Sequence, residues 1–226
     1  MTHWILIVAL GLGACGGKKD DKLPPAAPAT PTAPTTTTPP ASNGVATFWK
    51  WFTDHATELH KNAELRVVME SISAELEKVH PGVFAEIGKH GDELMLVISA
   101  DGDKKLFPQV QEVYAARPTV PGWKIVAFRQ RDAGFAIEME GKKIEPKTVK
   151  FIGTPGEGKL DIDVYLPGFK KDDEEMKKIG FIILDHMVGE YDMETKIGGI
   201  EFGALETAPA AAKSLTELPA IVDAIK

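Results

Sequence analysis

The sequence predicts a single α+β domain in which helices pack against a largely antiparallel sheet of about six to seven strands. The segments 135–140 and 160–166 alternate apolar and polar residues, which is typical of an antiparallel sheet with one solvated face. Elsewhere apolar residues recur every three or four positions, the spacing of an amphipathic helix. Of the 226 residues, 43% are hydrophobic, which is enough for one sizeable core.

Helices are predicted wherever an apolar stripe lies between recognisable stop signals. One opens after Ser42 and Asn43, and a second runs to about His80, where Pro81 and Gly82 stop it. The remaining helices are predicted over 104–117, over 172–188 and at the C-terminus. The acidic start of the 172–188 segment suits the positive end of a helix dipole, and Gly189 is a typical helix stop.

Strands are predicted where apolar or alternating runs lie between turn residues, at 83–88, 93–99, 123–128, 135–140, 149–152, 160–166 and 200–205. The run 94–98 is apolar throughout, so we expect this strand to be central and covered on both faces. The four strands between 123 and 166 are expected to form a meander. The segment 153–159 matches a phosphate-loop pattern but leads into a strand, so we interpret it as a hairpin turn.

The N-terminus carries an apolar segment that is too short to span a bilayer. Residues 4–12 are apolar and would rise about 13 Å as a helix, against roughly 30 Å of hydrocarbon. This length is typical of a secretory signal. The preceding residues 1–3 lack the Lys or Arg usual in such a signal, so an ordinary N-terminal segment is the alternative.

The tetrad Leu12-Gly13-Ala14-Cys15 resembles the lipobox of bacterial lipoproteins. The resemblance implies that residues 1–14 are removed as a signal peptide. It also implies that Cys15, the single cysteine of the chain, carries a diacylglyceride and, on its amine, a fatty acid such as palmitate. Such acylation predicts a membrane anchor in the cell envelope. Gly16 replaces the aspartate that retains lipoproteins in the inner membrane of enteric bacteria, which favours the outer membrane.

Residues 15–43 are predicted to form a disordered tether rich in proline and threonine, followed by a globular domain over 44–226. The tether holds seven of the sixteen prolines and, apart from Leu23, no large apolar residue, so it lacks the surface to form a core. The net charge of the chain is −7, which gives nucleic-acid binding no electrostatic support. A lone cysteine excludes an intrachain disulfide, and no motif predicts a cofactor.

Five polar residues in one short segment are the strongest chemical candidates of the sequence: Asp185, His186, Glu190, Asp192 and Glu194. His186 and Glu190 are four residues apart and could share a metal ion if one helix carried both. Gly189 is expected to end the helix between them, so structural contacts are the favoured interpretation. Acidic groups at a helix C-terminus need a local partner, and Lys196 or a backbone amide would serve.

Two further features suggest surfaces rather than catalysis. Trp49 and Trp51 belong to a segment too aromatic for one helix stripe, so they either pack under a loop or form an exposed partner surface. Asp161 and Asp163 begin like a calcium loop, but Tyr165 breaks the ligand order. A solvated strand face is the better interpretation of these two aspartates.

Four short segments together resemble a group of uncharacterised bacterial domains of unknown function: 48–52 (FWKWF), 98–102 (ISADG), 121–124 (PGWK) with Phe128 and Arg129, and 184–192 (LDHMVGEYD). The likeness covers most of 45–205 and implies one domain without implying an activity. We therefore expect a lipid-anchored envelope lipoprotein, facing the periplasm or the cell surface, whose non-enzymatic domain binds a protein or glycan. The alternatives are a metal-dependent hydrolase using the 185–194 segment and a periplasmic immunity- or inhibitor-like protein.

Overall fold

The computed structural model describes residues 42–62, 64–132, 136–139 and 142–225. The signal peptide, Cys15 and the tether as far as residue 41 lie outside the described residues. The helices are α1 (Asn43–Lys61), α2 (Leu65–Glu77), α3 (Phe107–Ala115), α4 (Glu174–Val188), α5 (Glu190–Lys196) and α6 (Leu218–Asp223). The strands are β1 (Phe84–His90), β2 (Glu93–Ser99), β3 (Trp123–Ala127), β4 (Ile137–Met139), β5 (Lys142–Ile144), β6 (Lys150–Pro155), β7 (Leu160–Leu166), β8 (Ile197–Ala204) and β9 (Lys213–Ser214).

The N-terminal unit, residues 42–132, consists of α1, α2 and α3 around a three-stranded sheet. β1 and β2 form an antiparallel hairpin, and β3 joins β2 in parallel after the α3 crossover, so the strand order is β1-β2-β3. Ser42 begins the unit as the N-cap of α1, because its side chain accepts a hydrogen bond from the N–H of Val45. Aromatic residues of α1 and apolar residues of α2 pack with alternate residues of the sheet in one core.

The C-terminal unit, residues 136–225, follows the same plan around a larger sheet. β6 and β7 form an antiparallel hairpin, and β8 joins β7 in parallel after α4 and α5. The short β9 pairs with β6, giving the order β8-β7-β6-β9, while β4 and β5 form a separate hairpin. Helix α4 packs on this sheet so closely that a Cβ on Gly180 would come within 2.3 Å of the Phe202 ring.

The three-stranded and the four-stranded sheet differ in how many of their faces are buried. In β2, every residue from Leu94 to Ser99 is buried, as expected for a central strand covered on both faces. In β7, buried residues alternate with exposed ones, and Asp161 and Asp163 lie on the exposed face, so the prediction of a solvated strand face is confirmed. The larger sheet therefore leaves one face to solvent.

The α+β class is confirmed, while the pairing of the strands differs from the expectation of one sheet. Among the described residues, nine strands are divided among three sheets, and two of the strand pairs are parallel. The expected meander between 123 and 166 is wrong, because β3 pairs with β2 and not with the strand that follows it. The hairpin turn at 153–159 is confirmed, since it joins β6 to β7. Within the described ranges, no helix combines the length and apolar character needed to cross a membrane.

Candidate functional site

Glu190 lies between the two units with no exposed surface, and its carboxylate accepts four hydrogen bonds. Oε1 accepts from the N–H of Ala100 at 2.9 Å and from the N–H of Gly102 at 3.3 Å. Oε2 accepts from Ser99 Oγ at 2.9 Å and from the N–H of Arg129 at 3.0 Å. A buried carboxylate is tolerated only when its oxygens are hydrogen-bonded, and all four donors belong to the N-terminal unit. We call this contact the Glu190 junction.

The last residue of β2 and the turn that follows it supply three of these donors, and the backbone of the turn adopts an unusual conformation. Asp101 and Gly102 have φ angles of +48° and +80°, and the N–H of Asp103 donates to the carbonyl of Ala100 at 3.0 Å. Ser99 Oγ also accepts from the N–H of Asp101 at 3.0 Å, which fixes the hydroxyl. Neighbouring backbone N–H groups aimed at one point form an anion-binding concavity. Here the chain's own carboxylate fills that concavity.

Gly189 lets the chain turn sharply enough for Glu190 to reach the junction. Its φ and ψ are +80° and 151°, a combination that residues with a Cβ rarely adopt. A Cβ at this position would lie 3.1 Å from the carbonyl oxygen of Arg129. That carbonyl accepts a hydrogen bond from the N–H of Glu190 at 3.1 Å, so the two backbones meet directly. The predicted helix stop at Gly189 is confirmed.

The guanidinium of Arg129 joins the same two units beside the Glu190 carboxylate. Nη1 donates to Glu86 of β1 at 2.6 Å and to Asp101 of the turn at 3.2 Å. Nε donates to Asp185 of α4 at 2.7 Å. Glu86 and Arg129 belong to the N-terminal unit, so the bond from Arg129 to Asp185 brings the end of α4 against the three-stranded sheet. It lies on the face of that sheet opposite to α1 and α2.

Burial and crowding of charges shift the pKa values around Arg129. Burial alone would lower the pKa of Arg129, but Glu86, Asp185 and Glu190 outweigh it and hold that pKa above its ordinary value. Burial also raises the pKa of Asp185 and of Glu86, and it prevails over the opposing attraction of Arg129. A single permanent cation thus balances several buried acidic groups.

A second arginine, Arg131, connects three elements of the C-terminal unit. Nε donates to the carbonyl of Val188 at 2.8 Å, and Nη1 lies 2.7 Å from Asp223 of α6. Nη2 donates to Asp192 of α5, whose other oxygen lies 3.5 Å from Lys196. Arg131 therefore holds the end of α4 and the adjoining helices in place.

An aromatic cluster of Phe107, Phe128 and Tyr191 packs next to the junction. The ring centroids of Phe107 and Phe128 are 4.6 Å apart, and those of Phe128 and Tyr191 are 5.2 Å apart. Phe128 has a φ of +60°, and it directly precedes Arg129, as Tyr191 directly follows Glu190. Phe107 and Phe128 belong to the N-terminal unit and Tyr191 to the C-terminal unit. The three rings therefore add an apolar contact between the units to the charged contacts of Glu190 and Arg129.

The five residues proposed as weak metal candidates do not act together at one point. Asp185 and Glu190 contact the N-terminal unit, while Asp192 contacts Arg131. His186 is buried, and burial followed by the charge of Arg129 lowers its pKa to about 4, so the ring is neutral at pH 7. Burial raises the pKa of Glu194.

Those contacts match the interpretation that the acidic groups have structural partners, since both Lys196 and backbone amides serve them. Across 42–62, 64–132, 136–139 and 142–225, no group of three or more His, Cys, Asp or Glu side chains is placed to hold a metal ion. The metal-dependent hydrolase stays a prediction without a ligand set among these residues.

The hypothesis of an exposed surface at Trp49 and Trp51 needs correction for the first of them. Trp49 is only 4% exposed, and its Nε1 donates to the carbonyl of Val113 at 2.8 Å, so the side chain belongs to the core. Its ring also packs edge-to-face on Phe48 and Phe52. Trp51 is half-buried and stacks on His55 at 5.0 Å, so a role in partner binding stays a prediction for this residue.

Sequence reasoning did not identify Ser99, Arg129 and Arg131 as site residues. Ser99 and Arg129 belong to segments that carry the resemblance to uncharacterised domains, and these segments meet the 184–192 segment at the junction. The Asp101-Gly102 pair was the available signal, because such a pair favours a turn with positive φ. Comparison of the chain with protein-family models, with curated proteins and with solved structures finds no match in any of the three.

Proposed function

We propose that this protein is a lipid-anchored lipoprotein of the bacterial cell envelope whose domain binds a partner without catalysing a reaction. The observation that carries the binding role is the burial of Glu190 with four internal donors. The segment that offered the strongest catalytic chemistry in the sequence uses its carboxylates to join the two units. The polar surface of the larger sheet is then left for recognition.

The anchoring role is supported by the sequence before the described residues. Leu12-Gly13-Ala14-Cys15 resembles a lipobox, and the proline-rich tether would separate the acyl chains from the domain. The tether begins with Lys18, Lys19 and Lys22, which favour contact with anionic headgroups, whereas residues 44–226 carry 23 Lys and Arg against 31 Asp and Glu, and this net charge of −8 repels the domain from them. The proposal therefore holds the domain at a distance from the membrane that carries the anchor, for which Gly16 favours the outer membrane over the inner one.

Metabolic labelling with an alkyne analogue of palmitate tests the anchor. We expect the wild-type chain, expressed in a bacterium, to take up the label and to partition with membranes. Cys15→Ala should lose the label and retain its signal peptide, while the neighbouring Gly16→Ser should keep the label. Equal labelling of Cys15→Ala and wild type would contradict the proposal.

Thermal unfolding after chelation tests the hydrolase alternative. The proposal expects Zn²⁺, Mn²⁺ or Ca²⁺ to leave the melting temperature unchanged, because Asp185, Glu190 and Asp192 already have arginine or amide partners. A rise in melting temperature that disappears in Glu194→Gln would support the alternative. Glu58→Gln, an exposed residue of α1, is the matched control.

The immunity- or inhibitor-like alternative is a special case of partner binding. It is favoured by the net charge of −7, which suits a basic target because opposite charges accelerate association.

A further inference from the structure

The two edges of the larger sheet are unequal in length, and β8 is the longer one. β9 forms one edge with only two residues, whereas β8 forms the other with eight. An edge strand carries N–H and C=O groups that point away from its sheet and can pair with another chain. Long edges are normally blocked by charged residues, proline, bulges or covering elements.

Among the described residues, side-chain hydrogen bonds reach β8 near its two ends and not in its middle. Near its start, Lys159 Nζ donates to the carbonyl of Ile197 at 2.9 Å, and Asp161 accepts from the N–H of Gly199 at 2.6 Å. At its end, Thr207 Oγ1 donates to the carbonyl of Ala204 at 2.7 Å. Within the part of the chain that the structure describes, residues 200–203 make no hydrogen bond beyond the β7 ladder.

One of the two outer strands of the three-stranded sheet, β1, shows how a side chain can cover an edge. Ser73 of α2 lies against β1, where its Oγ accepts from the N–H of Ala85 at 3.1 Å and lies 3.4 Å from the carbonyl of the same residue. One side chain thus satisfies both outward groups of Ala85. The middle of β8 has no such side chain among the described residues.

An exposed aromatic strip runs along the helix side of the β8 edge. Phe181 of α4 is 45% exposed, and its ring packs edge-to-face on Phe202 of β8 at 5.1 Å. The ring centroid of Phe169 lies 6.4 Å from that of Phe202, and both of these rings are half-buried. Apolar side chains of a strand added beside β8 would cover this strip.

The opposite side of the same edge is acidic. Asp163 of β7 and Glu201 of β8 are exposed and directly abreast in the parallel register. Like charges at adjacent strand positions repel each other. In the described chain neither Asp163 nor Glu201 forms an ion pair within 4 Å. Lys177 pairs with Glu174 at 2.7 Å, and its charge also attracts Glu201 from farther away. A cation beside Glu201 would relieve the repulsion.

We propose that the middle of β8 binds an extended segment of a partner protein in which apolar residues alternate with lysine or arginine. Successive side chains of a strand point to opposite faces, so every second residue would lie on Phe181 and Phe202 and the others beside Glu201, with Asp163 one strand farther away. The backbone of the segment would pair with residues 200–203. This proposal rests on the binding function proposed above and names its surface and the chemistry of its partner.

Fluorescence anisotropy with the full chain in detergent and a labelled peptide of sequence VKVKVKV tests the proposal. We expect saturable binding that weakens at least about tenfold in Phe181→Ser and in Glu201→Lys. The matched controls are Phe84→Ser, which removes an equally exposed phenylalanine from β1, and Glu58→Lys, which makes the same charge change on α1. Both controls should bind as the wild type does.

Two further peptides separate strand addition from charge attraction. VEVEVEV should not bind, and VKVKVKV N-methylated at every residue should lose binding because it cannot donate backbone hydrogen bonds. Equal binding of the methylated peptide, or equal loss in Phe84→Ser, would overturn the proposal. A dimer in sedimentation that dissociates in Phe181→Ser would also overturn it, since the occupant would be a second copy.

The outcome is distinguishable from failure of the lipoprotein proposal. If Cys15 is labelled and the peptide does not bind, the β8 proposal is wrong while the anchor stands. If the peptide binds and Cys15 carries no label, the anchor is wrong while the β8 proposal stands.

Discussion

The N-terminal and C-terminal units pair their strands in the same order yet bury them differently. Each has an antiparallel hairpin followed by a parallel strand that returns through a helix. The N-terminal sheet has helices of its own unit on one face and the end of α4, through Asp185, on the other. The C-terminal sheet leaves one face and the β8 edge in solvent. The polar groups at the Glu190 junction are therefore satisfied within the chain, whereas those on the open face of the larger sheet and at the β8 edge are left for other molecules.

Removal of the carboxylate at the Glu190 junction should have the largest effect on stability. Glu190→Ala would leave four donors without an acceptor in a buried site, so we expect the free energy of unfolding to fall by about 3–5 kcal/mol. Urea unfolding measures this change. Glu58→Ala, on the exposed face of α1, should change stability by no more than about 0.5 kcal/mol. A similar small effect for both variants would mean that the junction does not hold the units together.

The pH dependence of stability tests whether the His186 side chain, at the end of α4, is shielded from solvent. His186 has a pKa of about 4 in the fold against 6.5 ordinarily, so between these values the unfolded chain binds a proton that the folded chain does not. The free energy of unfolding should therefore rise with pH across this window, by at most about 3 kcal/mol in total. Below pH 4 the histidine contributes no further change.

Comparison with His186→Gln isolates this contribution. The raised pKa values of Glu86 and Asp185 make the free energy of unfolding fall as pH rises, because the folded chain holds those protons to higher pH. Glu86 and Asp185 are present in the wild type and in the variant, so the difference between the two profiles reports His186. We expect a smaller rise in stability between pH 4 and 6.5 in the variant. Parallel pH profiles would show that the His186 ring is not desolvated.

The close backbone approach at the junction can be tested with two glycines that both have positive φ. Gly189→Ala should lower stability by about 2–3 kcal/mol, because its Cβ adds a 3.1 Å contact with Arg129 to the backbone strain. Gly158→Ala, with a φ of +71° and no atom within 4 Å of the added Cβ, should cost about 1–2 kcal/mol. Chemical denaturation of both variants measures the difference, and equal costs would contradict the close approach.

The smallest expected effect concerns the covered edge of the N-terminal sheet. Ser73→Ala removes the hydroxyl that accepts from the N–H of Ala85, so we expect a loss of about 1 kcal/mol. Ser71→Ala is the control on the same helix, because the Ser71 hydroxyl donates to the carbonyl of Val67 within the helix and, in the part of the chain that the structure describes, to no strand. If the two variants are equally stable, Ser73 does not protect the β1 edge.

Local pattern predicted individual elements better than it predicted their neighbours. The strand Leu160–Leu166, the helix stop at Gly189 and the solvated face at Asp161 and Asp163 each follow from residues close together in sequence. The division into three sheets does not, because alternation specifies which face of a strand is buried and not which strand lies beside it. The strand Lys142–Ile144 was missed, since three residues are too few to show a period.

The candidate site shows the same limit more sharply. Glu190 was noticed for its chemistry, but its donors lie 61 to 91 residues away in the chain. A carboxylate that binds a metal and one that binds backbone amides have the same local sequence. Only the turn at Asp101 and Gly102, together with the approach of Arg129, decides between the two.

Amide hydrogen exchange is the most direct measurement of the contrast between the two units. The N–H groups of Ala100 and Arg129 donate to the buried Glu190 carboxylate, so we expect them to exchange only with global unfolding. At the β8 edge we expect the outward amides within 200–203 to exchange orders of magnitude faster. Exchange at Ala100 and Arg129 as fast as at the β8 edge would contradict the burial of the Glu190 junction.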